Sequence, residues 1–122
     1  MTKKILVVDD EPQIVHLLTM RLKANGYDTY AANDSYQCLK MAREVKPDLI
    51  ILDMKMPAGG GIQAFENLKS SVYTSNIPII FMTAYPGDDV KKQVADLGAD
   101  GYFSKPFNSL DLLNKIKELI NE

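Results

Sequence analysis

The sequence predicts an α/β fold, in which a five-stranded parallel sheet in the order 2-1-3-4-5 carries five helices on its two faces. Five short apolar segments alternate strictly with five amphipathic segments, a pattern typical of a parallel sheet flanked by helices. Several of the apolar segments are continuous, as expected for strands that are buried on both faces. Right-handed crossovers then favour the doubly wound strand order 2-1-3-4-5.

The predicted strands are KILVV (4–8), DTYAA (28–32), DLIILD (48–53), IPIIFMT (77–83) and GYFSK (101–105). The predicted helices are residues 12–25, 35–45, 61–71, 87–97 and 109–120. Glycines follow the first and fourth helices, and Asp34 or Ser35 and Asn108 or Ser109 are candidate caps of the second and fifth. The fifth helix is expected to bury one stripe, formed by Leu110, Leu113, Ile116, Leu119 and Ile120.

Length and composition limit the class of protein. The 122 residues predict a single domain over 1–122, with apolar runs too short to cross a membrane. The opening MTKK leaves no room for a secretion signal, and the single cysteine, Cys38, has no partner for an internal disulfide. We therefore expect a cytoplasmic protein without a membrane partner. The net charge of −2 argues against direct nucleic-acid binding, which requires a basic face.

Polar side chains follow the predicted strands at the edge where the strands end. Asp9 and Asp10 follow strand one, Asp53 ends strand three, Thr83 ends strand four and Lys105 ends strand five. In the predicted order these strand ends are neighbours, and ligands of doubly wound sheets bind at this edge. We therefore expect the five side chains to line one pocket.

The chemistry of these groups points to phosphoryl transfer. Three adjacent carboxylates repel one another unless a cation is present, and Mg²⁺ prefers carboxylates, water and phosphate oxygens. Asp53 is central enough to be the nucleophile, with Asp9 and Asp10 placed to hold the metal and Thr83 and Lys105 to stabilise charge on the transferred group. Taken singly, Asp10 also fits a helix cap, Thr83 an ordinary strand residue and Lys105 a solvated charge.

The segments ILVVDDEP, PDLIILDMKMP, IIFMTAY and FSKPF resemble, in order and spacing, the receiver domain of two-component response regulators, a CheY-like, flavodoxin-like fold. DMKMP together with MTAY is similar to stand-alone regulators of sporulation phosphorelays. The resemblance implies that a histidine kinase or histidine phosphotransfer protein phosphorylates Asp53. It also implies Mg²⁺, which Mn²⁺ can replace, bound by Asp10, Asp53 and the backbone carbonyl of Lys55, with Asp9 nearby.

The resemblance further implies a switch that acts on a downstream protein target. Phosphorylation would draw the hydroxyl of Thr83 inward while Tyr102 changes rotamer, although Tyr102 also fits a core aromatic. Lys105-Pro106 matches the family's lysine–cis-proline pair. The domain would catalyse only its own phosphorylation and dephosphorylation. Whether it stays monomeric or dimerises on phosphorylation, through its fourth helix, fifth strand and fifth helix, is left open.

Neighbours of the pocket suggest how long the phosphoryl group lasts and where a partner docks. In receiver geometry Lys55 and Tyr85 overhang the phosphate and should slow hydrolysis by obstructing water, with surface packing the alternative for Tyr85. An apolar rim beside the acids would receive a helix that carries phosphohistidine. That rim is formed by Ile14, Leu17, Pro106 and Phe107, whose alternative interpretation is scattered surface apolar residues.

Three other features have plain interpretations. The glycine run at 59–61 predicts a flexible turn that softens the start of the third helix, because no Lys-Ser/Thr follows it as in a phosphate-binding loop. His16 has no second ligand at metal spacing and is expected to be solvated. Cys38 is expected to pack in the core.

Other classes of protein with this fold fit less well. A phosphatase that uses an aspartyl-phosphate intermediate would need Asp-x-Asp after the first strand, which VVDDEP lacks. A flavin-binding domain would need a first loop rich in Ser, Thr or Gly. A pseudo-receiver that only binds partners is disfavoured because no pocket residue is missing.

Overall fold

The computed structural model describes residues 2–55, 60–84 and 87–121 of the chain. The strands are β1 (Lys4–Val8), β2 (Asp28–Ala32), β3 (Leu49–Asp53), β4 (Ile79–Thr83) and β5 (Gly101–Ser104). The helices are α1 (Pro12–Ala24), α2 (Ser35–Val45), α3 (Gly60–Lys69), α4 (Asp88–Leu97) and α5 (Ser109–Ile116), and α5 continues as a π-helical turn over Lys117–Asn121. Strands three to five are shorter than predicted by one or two residues at their ends. No helix within the described ranges combines the length and apolar character that a membrane span needs.

The sheet has the predicted topology. Its strands lie in the order β2-β1-β3-β4-β5, and every adjacent pair is parallel. Alternate residues of the strands feed two separate cores, because successive side chains of a strand point to opposite faces. One core packs against α2, α3 and α4, and the other against α1 and α5. The helices therefore cover both faces, as the sequence predicts.

The central strands are buried because both of their faces are covered. All five residues of β3 and all five of β4 are buried. In β1, Leu6 and Val8 belong to the core under α2, α3 and α4, whereas Ile5 and Val7 belong to the other core. This arrangement explains why these segments read as continuous apolar runs instead of alternating ones.

The ends of the helices use the caps that the sequence offers. The Asp34 side chain accepts a hydrogen bond from the Gln37 N–H at 2.7 Å, and the Asn108 side chain accepts one from the Asp111 N–H at 3.0 Å. Of each pair of candidate caps, the first residue is therefore the cap. Helix α4 ends at Gly98, whose φ of +83° is a backbone conformation that glycine adopts without strain.

The predicted buried stripe of α5 is wrong at one residue. Leu110 is 66% exposed, whereas Leu112 and Ile116, one turn apart, are buried. The helix begins at Ser109, and its orientation on the sheet turns the 112/116 face inward, so Leu110 in the first turn points to solvent. The other four predicted residues of the stripe do contact the core beneath α1 and α5.

Candidate functional site

The register of the sheet brings the predicted site residues to one edge. Val8 pairs with Leu52 at the ends of β1 and β3, and Asp53 pairs with Met82 just before Thr83. Carboxylate oxygens of Asp9, Asp10 and Asp53 lie within 4.8 Å of one another. Asp9 and Asp53 are buried and Asp10 is exposed. The sequence-predicted acidic cluster is therefore present, with two of its three members shielded from solvent.

Lys105 provides the positive charge at the centre of this cluster. Its ammonium lies 2.8 Å from Asp9 Oδ2, 3.0 Å from Glu11 Oε1 and 3.4 Å from Asp53 Oδ1. The Lys105 side chain is only 9% exposed, so the contacts with Asp9 and Asp53 are made away from bulk water. The Lys105 N–H donates to the Thr83 carbonyl at 2.7 Å, which ties this residue to the end of β4. The Lys105–Pro106 peptide bond is cis.

The electrostatics of the site act most strongly on Asp53. Burial and the neighbouring charge of Asp9 raise the pKa of Asp53 from 3.8 to about 6, against the opposing effects of Lys105 and of a hydrogen bond from the Lys55 backbone. For Lys105, burial lowers the pKa, but hydrogen bonds to Asp9 and Glu11 and the charge of Asp53 outweigh burial and leave the pKa above its ordinary value. Burial and the charge of Asp9 thus outweigh the effect of Lys105 on the pKa of Asp53.

The donor set suits a divalent cation. Three carboxylates offer hard oxygen ligands, the kind that Mg²⁺ prefers, and burial with the charge of Asp9 raises the pKa of Asp53 in spite of the nearby Lys105. The exposed Asp10 leaves one side of the cluster open to water and to an incoming anion. Asp9, Asp10 and Asp53 can therefore hold a metal ion of this class.

Comparison with known proteins decides the family. The model of the response regulator receiver domain matches residues 5–117. The chain belongs to the response regulator receiver domain family. It is thus a receiver domain of two-component systems, as the resemblance of its motifs implied.

Individual relatives agree with this assignment. The alkaline phosphatase synthesis transcriptional regulatory protein PhoP of Bacillus subtilis (strain 168) is 40% identical over 120 residues, which make up 98% of this chain and 49% of that protein. The receiver domain thus spans about half the length of the curated relatives it matches. The chemotaxis protein CheY4 of Vibrio cholerae superposes with a TM-score of 0.90 at 28% identity, covering 98% of this chain and all of that one. The signal receiver domain of a DNA-binding response regulator from Colwellia psychrerythraea 34H has the same TM-score at 30% identity, covering 98% and 99% of the two chains.

The two predicted switch residues of the receiver domain lie on neighbouring strands. Thr83 ends β4 and is buried, and Tyr102 on β5 pairs with Phe81 of β4. The Tyr102 side chain packs against the core under α2, α3 and α4. Its hydroxyl is buried and makes no hydrogen bond to any group in the described parts of the chain. Tyr102 is therefore a partly buried core aromatic, and its rotamer change stays a prediction.

The start of α3 lies close to the backbone of β3, and the flexibility expected of the glycine run stays a prediction. Gly61 is buried, and its N–H donates to the Met54 carbonyl at 2.9 Å. A Cβ atom at position 61 would lie 2.2 Å from the Asp53 carbonyl oxygen, far inside van der Waals contact. Gly61 therefore lets the helix pack directly against the backbone at the end of β3, a role that the glycine run conceals in the sequence. Gly59 lies outside the described residues.

The remaining predicted site residues are only partly placed. Lys55 is exposed and donates its backbone N–H to Asp53, while Tyr85 lies outside the described residues. On the predicted docking rim, Leu17 and Pro106 are exposed. Ile14 and Phe107 are half-buried against the core under α1 and α5.

The two residues given plain interpretations behave as expected. His16 is exposed, in agreement with a solvated helix position. Cys38 is a free, fully buried cysteine, and burial, with a smaller effect of Asp34, raises the pKa of its thiol to about 12. Its thiol is thus protonated at neutral pH and packs as a small apolar side chain.

Sequence reasoning missed Glu11. Its carboxylate contacts the Lys105 ammonium. Glu11 itself lies three positions after the first strand, at the N-cap of α1. The available signal was the third consecutive acid after β1, but the reach of a side chain across to β5 cannot be read from spacing.

Proposed function

We propose that Asp53 accepts a phosphoryl group from a phosphohistidine of a histidine kinase or histidine phosphotransfer protein. An Asp53 carboxylate oxygen attacks phosphorus as the P–N bond breaks, and the imidazole nitrogen keeps the electron pair and takes up a proton. The observation that carries this proposal is the position of Asp53, buried at the end of the central strand β3 between Asp9 and Lys105. A carboxylate held among charges that its surroundings do not balance is a functional-site candidate.

Asp9, Asp10 and Asp53 would hold Mg²⁺, together with the backbone carbonyl of Lys55. Bound there, the ion supplies Lewis-acid stabilisation of phosphoryl oxygens. The chain's own contribution is orientation: the β3 terminus fixes Asp53, and Asp9, whose carboxylate also accepts the Glu11 N–H at 2.9 Å, is fixed by the turn that follows β1. These constraints favour attack from one direction because the nucleophile has little freedom to turn.

Lys105 and Thr83 would stabilise the transferred group. The Lys105 ammonium already lies 3.4 Å from Asp53 Oδ1, so a phosphoryl oxygen bonded to Asp53 falls within its reach. Thr83 ends the neighbouring strand and can turn its hydroxyl toward the same oxygens. A Thr83 hydroxyl drawn inward would change the space beside Tyr102. The buried Tyr102 hydroxyl makes no hydrogen bond within the described parts of the chain, which favours a ring able to move outward.

This change would alter the binding of a downstream protein target.

The receiver domain would catalyse only its own phosphorylation and, by attack of water at phosphorus, its own dephosphorylation. Lys55 and Tyr85 would slow that attack, a proposal tested by the decay rate of phospho-Asp53 in Lys55→Asn and Tyr85→Ala variants. Unchanged decay in both would contradict it.

The rim of Ile14, Leu17, Pro106 and Phe107 would receive the histidine-bearing partner. The protein would work in the cytoplasm, because its single cysteine, Cys38, is a free thiol that suits a reducing compartment.

Incubation with acetyl phosphate and Mg²⁺ tests the proposal. We expect intact-mass spectrometry to show a gain of one phosphoryl group in the wild type and in Asp48→Asn, which changes an acid at the opposite end of the same strand segment. Asp53→Asn should gain nothing. Phosphorylation that persists in Asp53→Asn would overturn the assignment, and steady turnover of an external phosphoester would favour the phosphatase alternative.

A further inference from the structure

Glu11 occupies an unusual position at the start of α1. It is the N-terminal boundary residue, and its carbonyl accepts hydrogen bonds from the N–H groups of Ile14 and Val15. Its side chain makes no capping hydrogen bond to the helix. Instead the carboxylate extends to the Lys105 ammonium at 3.0 Å. The backbone of Glu11 therefore begins the helix, whereas its side chain contacts the site.

The number of hydrogen bonds that Lys105 can donate limits how many groups it can bind at once. An ammonium group has three N–H donors, and three carboxylates surround this one, those of Asp9, Glu11 and Asp53. A phosphoryl oxygen can gain a hydrogen bond from Lys105 only if one of these partners gives up its donor. Asp9 is 2% exposed and Asp53 is 5% exposed, so release of either would leave a buried charge unpaired. Glu11 is 46% exposed, and water can solvate it when it leaves.

We propose that Glu11 is a positioning residue that competes with the phosphoryl group for Lys105. In the unphosphorylated receiver domain it holds the ammonium beside Asp9 and places negative charge at the mouth of the site. It gives up Lys105 when the phosphoryl group arrives. Glu11 thus sets how readily the domain takes a phosphoryl group from a weak donor. This inference rests on the proposed function of Asp53.

Two variants of Glu11 separate its contact from its charge. Glu11→Gln removes the negative charge and weakens the contact, whereas Glu11→Asp keeps the charge on a side chain one methylene shorter, which cannot span the present contact without moving the backbone. Because Glu11 makes no capping contact and is half exposed, both variants should fold. The matched control is Glu44→Gln, which makes the same change near the end of α2, far from the site. Its neighbour Val45 accepts a hydrogen bond from Lys4 at the amino end of β1, the edge of the sheet opposite the site.

The experiment measures phosphorylation of Asp53 by acetyl phosphate with Mg²⁺ at a series of donor concentrations. For Glu11→Gln we expect the rate at low donor to rise about fivefold, the size of effect that a partly exposed ion pair carries. The gain should appear in the donor KM more than in the saturating rate, because the competition is for binding. Glu11→Asp should show most of the gain, and Glu44→Gln none.

A second readout does not depend on turnover. Titration with beryllofluoride, a non-covalent analogue of the phosphoryl group, followed by amide NMR shifts, should show a Kd lowered by a similar factor in Glu11→Gln and Glu11→Asp. Unchanged or slower phosphorylation with unchanged beryllofluoride affinity in Glu11→Gln would overturn the inference and leave the proposed function intact. A Glu11→Asp variant that matches the wild type while Glu11→Gln is faster would also overturn it, because charge alone would explain the effect. A wild type that takes no phosphoryl group would overturn both.

Discussion

Acidic residues lie at both edges of the sheet, but the two edges treat them differently. At the amino edge, Asp48 accepts the Lys4 N–H at 2.8 Å and Asp100 accepts the Ile79 N–H at 2.9 Å. Each of these acids precedes a strand and bonds to the first residue of the neighbouring strand, so each carboxylate links two strands. At the carboxyl edge, the carboxylates of the acidic cluster crowd together within 4.8 Å.

The comparison separates acids that complete the hydrogen bonding of the sheet from acids that crowd together at the candidate site. Those of the amino edge complete the ladder of hydrogen bonds between strands. Those of the carboxyl edge repel one another, and burial together with the charge of Asp9 raises the pKa of Asp53. Loss of an acid should therefore have opposite effects on stability at the two edges, and the following experiments test this difference.

The largest effect is expected from removal of the cation at the carboxyl edge. Lys105→Met leaves the buried charges of Asp9 and Asp53 without their ammonium, so the free energy of unfolding at pH 7 should fall by about 4 kcal/mol. Urea unfolding followed by circular dichroism measures the change. Lys92→Met, which removes an exposed ion pair with Asp96, is the control and should change stability by less than about 1 kcal/mol. Equal losses in the two variants would contradict the special character of this edge.

Asp53→Asn should stabilise the protein at neutral pH. Because the folded-state pKa of Asp53 is raised from 3.8 to about 6, the folded protein binds more protons than the unfolded chain between these values. Ionisation of Asp53 therefore costs stability as the pH rises through that window, by about 3 kcal/mol in full. The variant should gain this amount at pH 7 and nothing below about pH 4. A pH series of urea unfolding curves measures it, and a gain that is independent of pH would contradict the electrostatic origin.

Asp100→Ala should have the opposite sign. It leaves the N–H of the fully buried Ile79 without its acceptor, and an unsatisfied buried donor costs about 2 kcal/mol. Thermal and urea unfolding of this variant should show the loss at pH 7, with Asp96→Ala as the exposed control. A stabilised Asp100→Ala would show that the amino-edge acids are also under repulsion.

Addition of Mg²⁺ should change the free energy of unfolding least, and the change should depend on Asp53. At a concentration tenfold above its Kd, the ion should stabilise the wild type by about 1.4 kcal/mol through mass action. The same gain should appear in Asp100→Ala and be much reduced in Asp53→Asn. Melting temperatures with Mg²⁺ and with chelator measure the difference. Equal stabilisation of all three proteins would place the ion elsewhere.

The parts of the fold that follow from repeated patterns could be predicted from sequence. Continuous apolar runs identified the buried strands, and the strand order brought Asp9, Asp53 and Lys105 to one edge. Three features could not be predicted, because each depends on how elements are oriented in space. The exposure of Leu110 depends on the rotation of α5, and the contact of Glu11 depends on the reach of a flexible side chain.

The third such feature is the approach of α3 to the backbone of Asp53 at Gly61, where not even a methyl group can be accommodated. Every coding change at that position adds atoms, and each must displace the helix or the backbone of Asp53. We therefore expect a residue with no reactive group to tolerate substitution as poorly as Asp53, the proposed nucleophile beside it. In a saturation-mutagenesis screen for signalling, we would look for position 61 among the least tolerant sites of the domain.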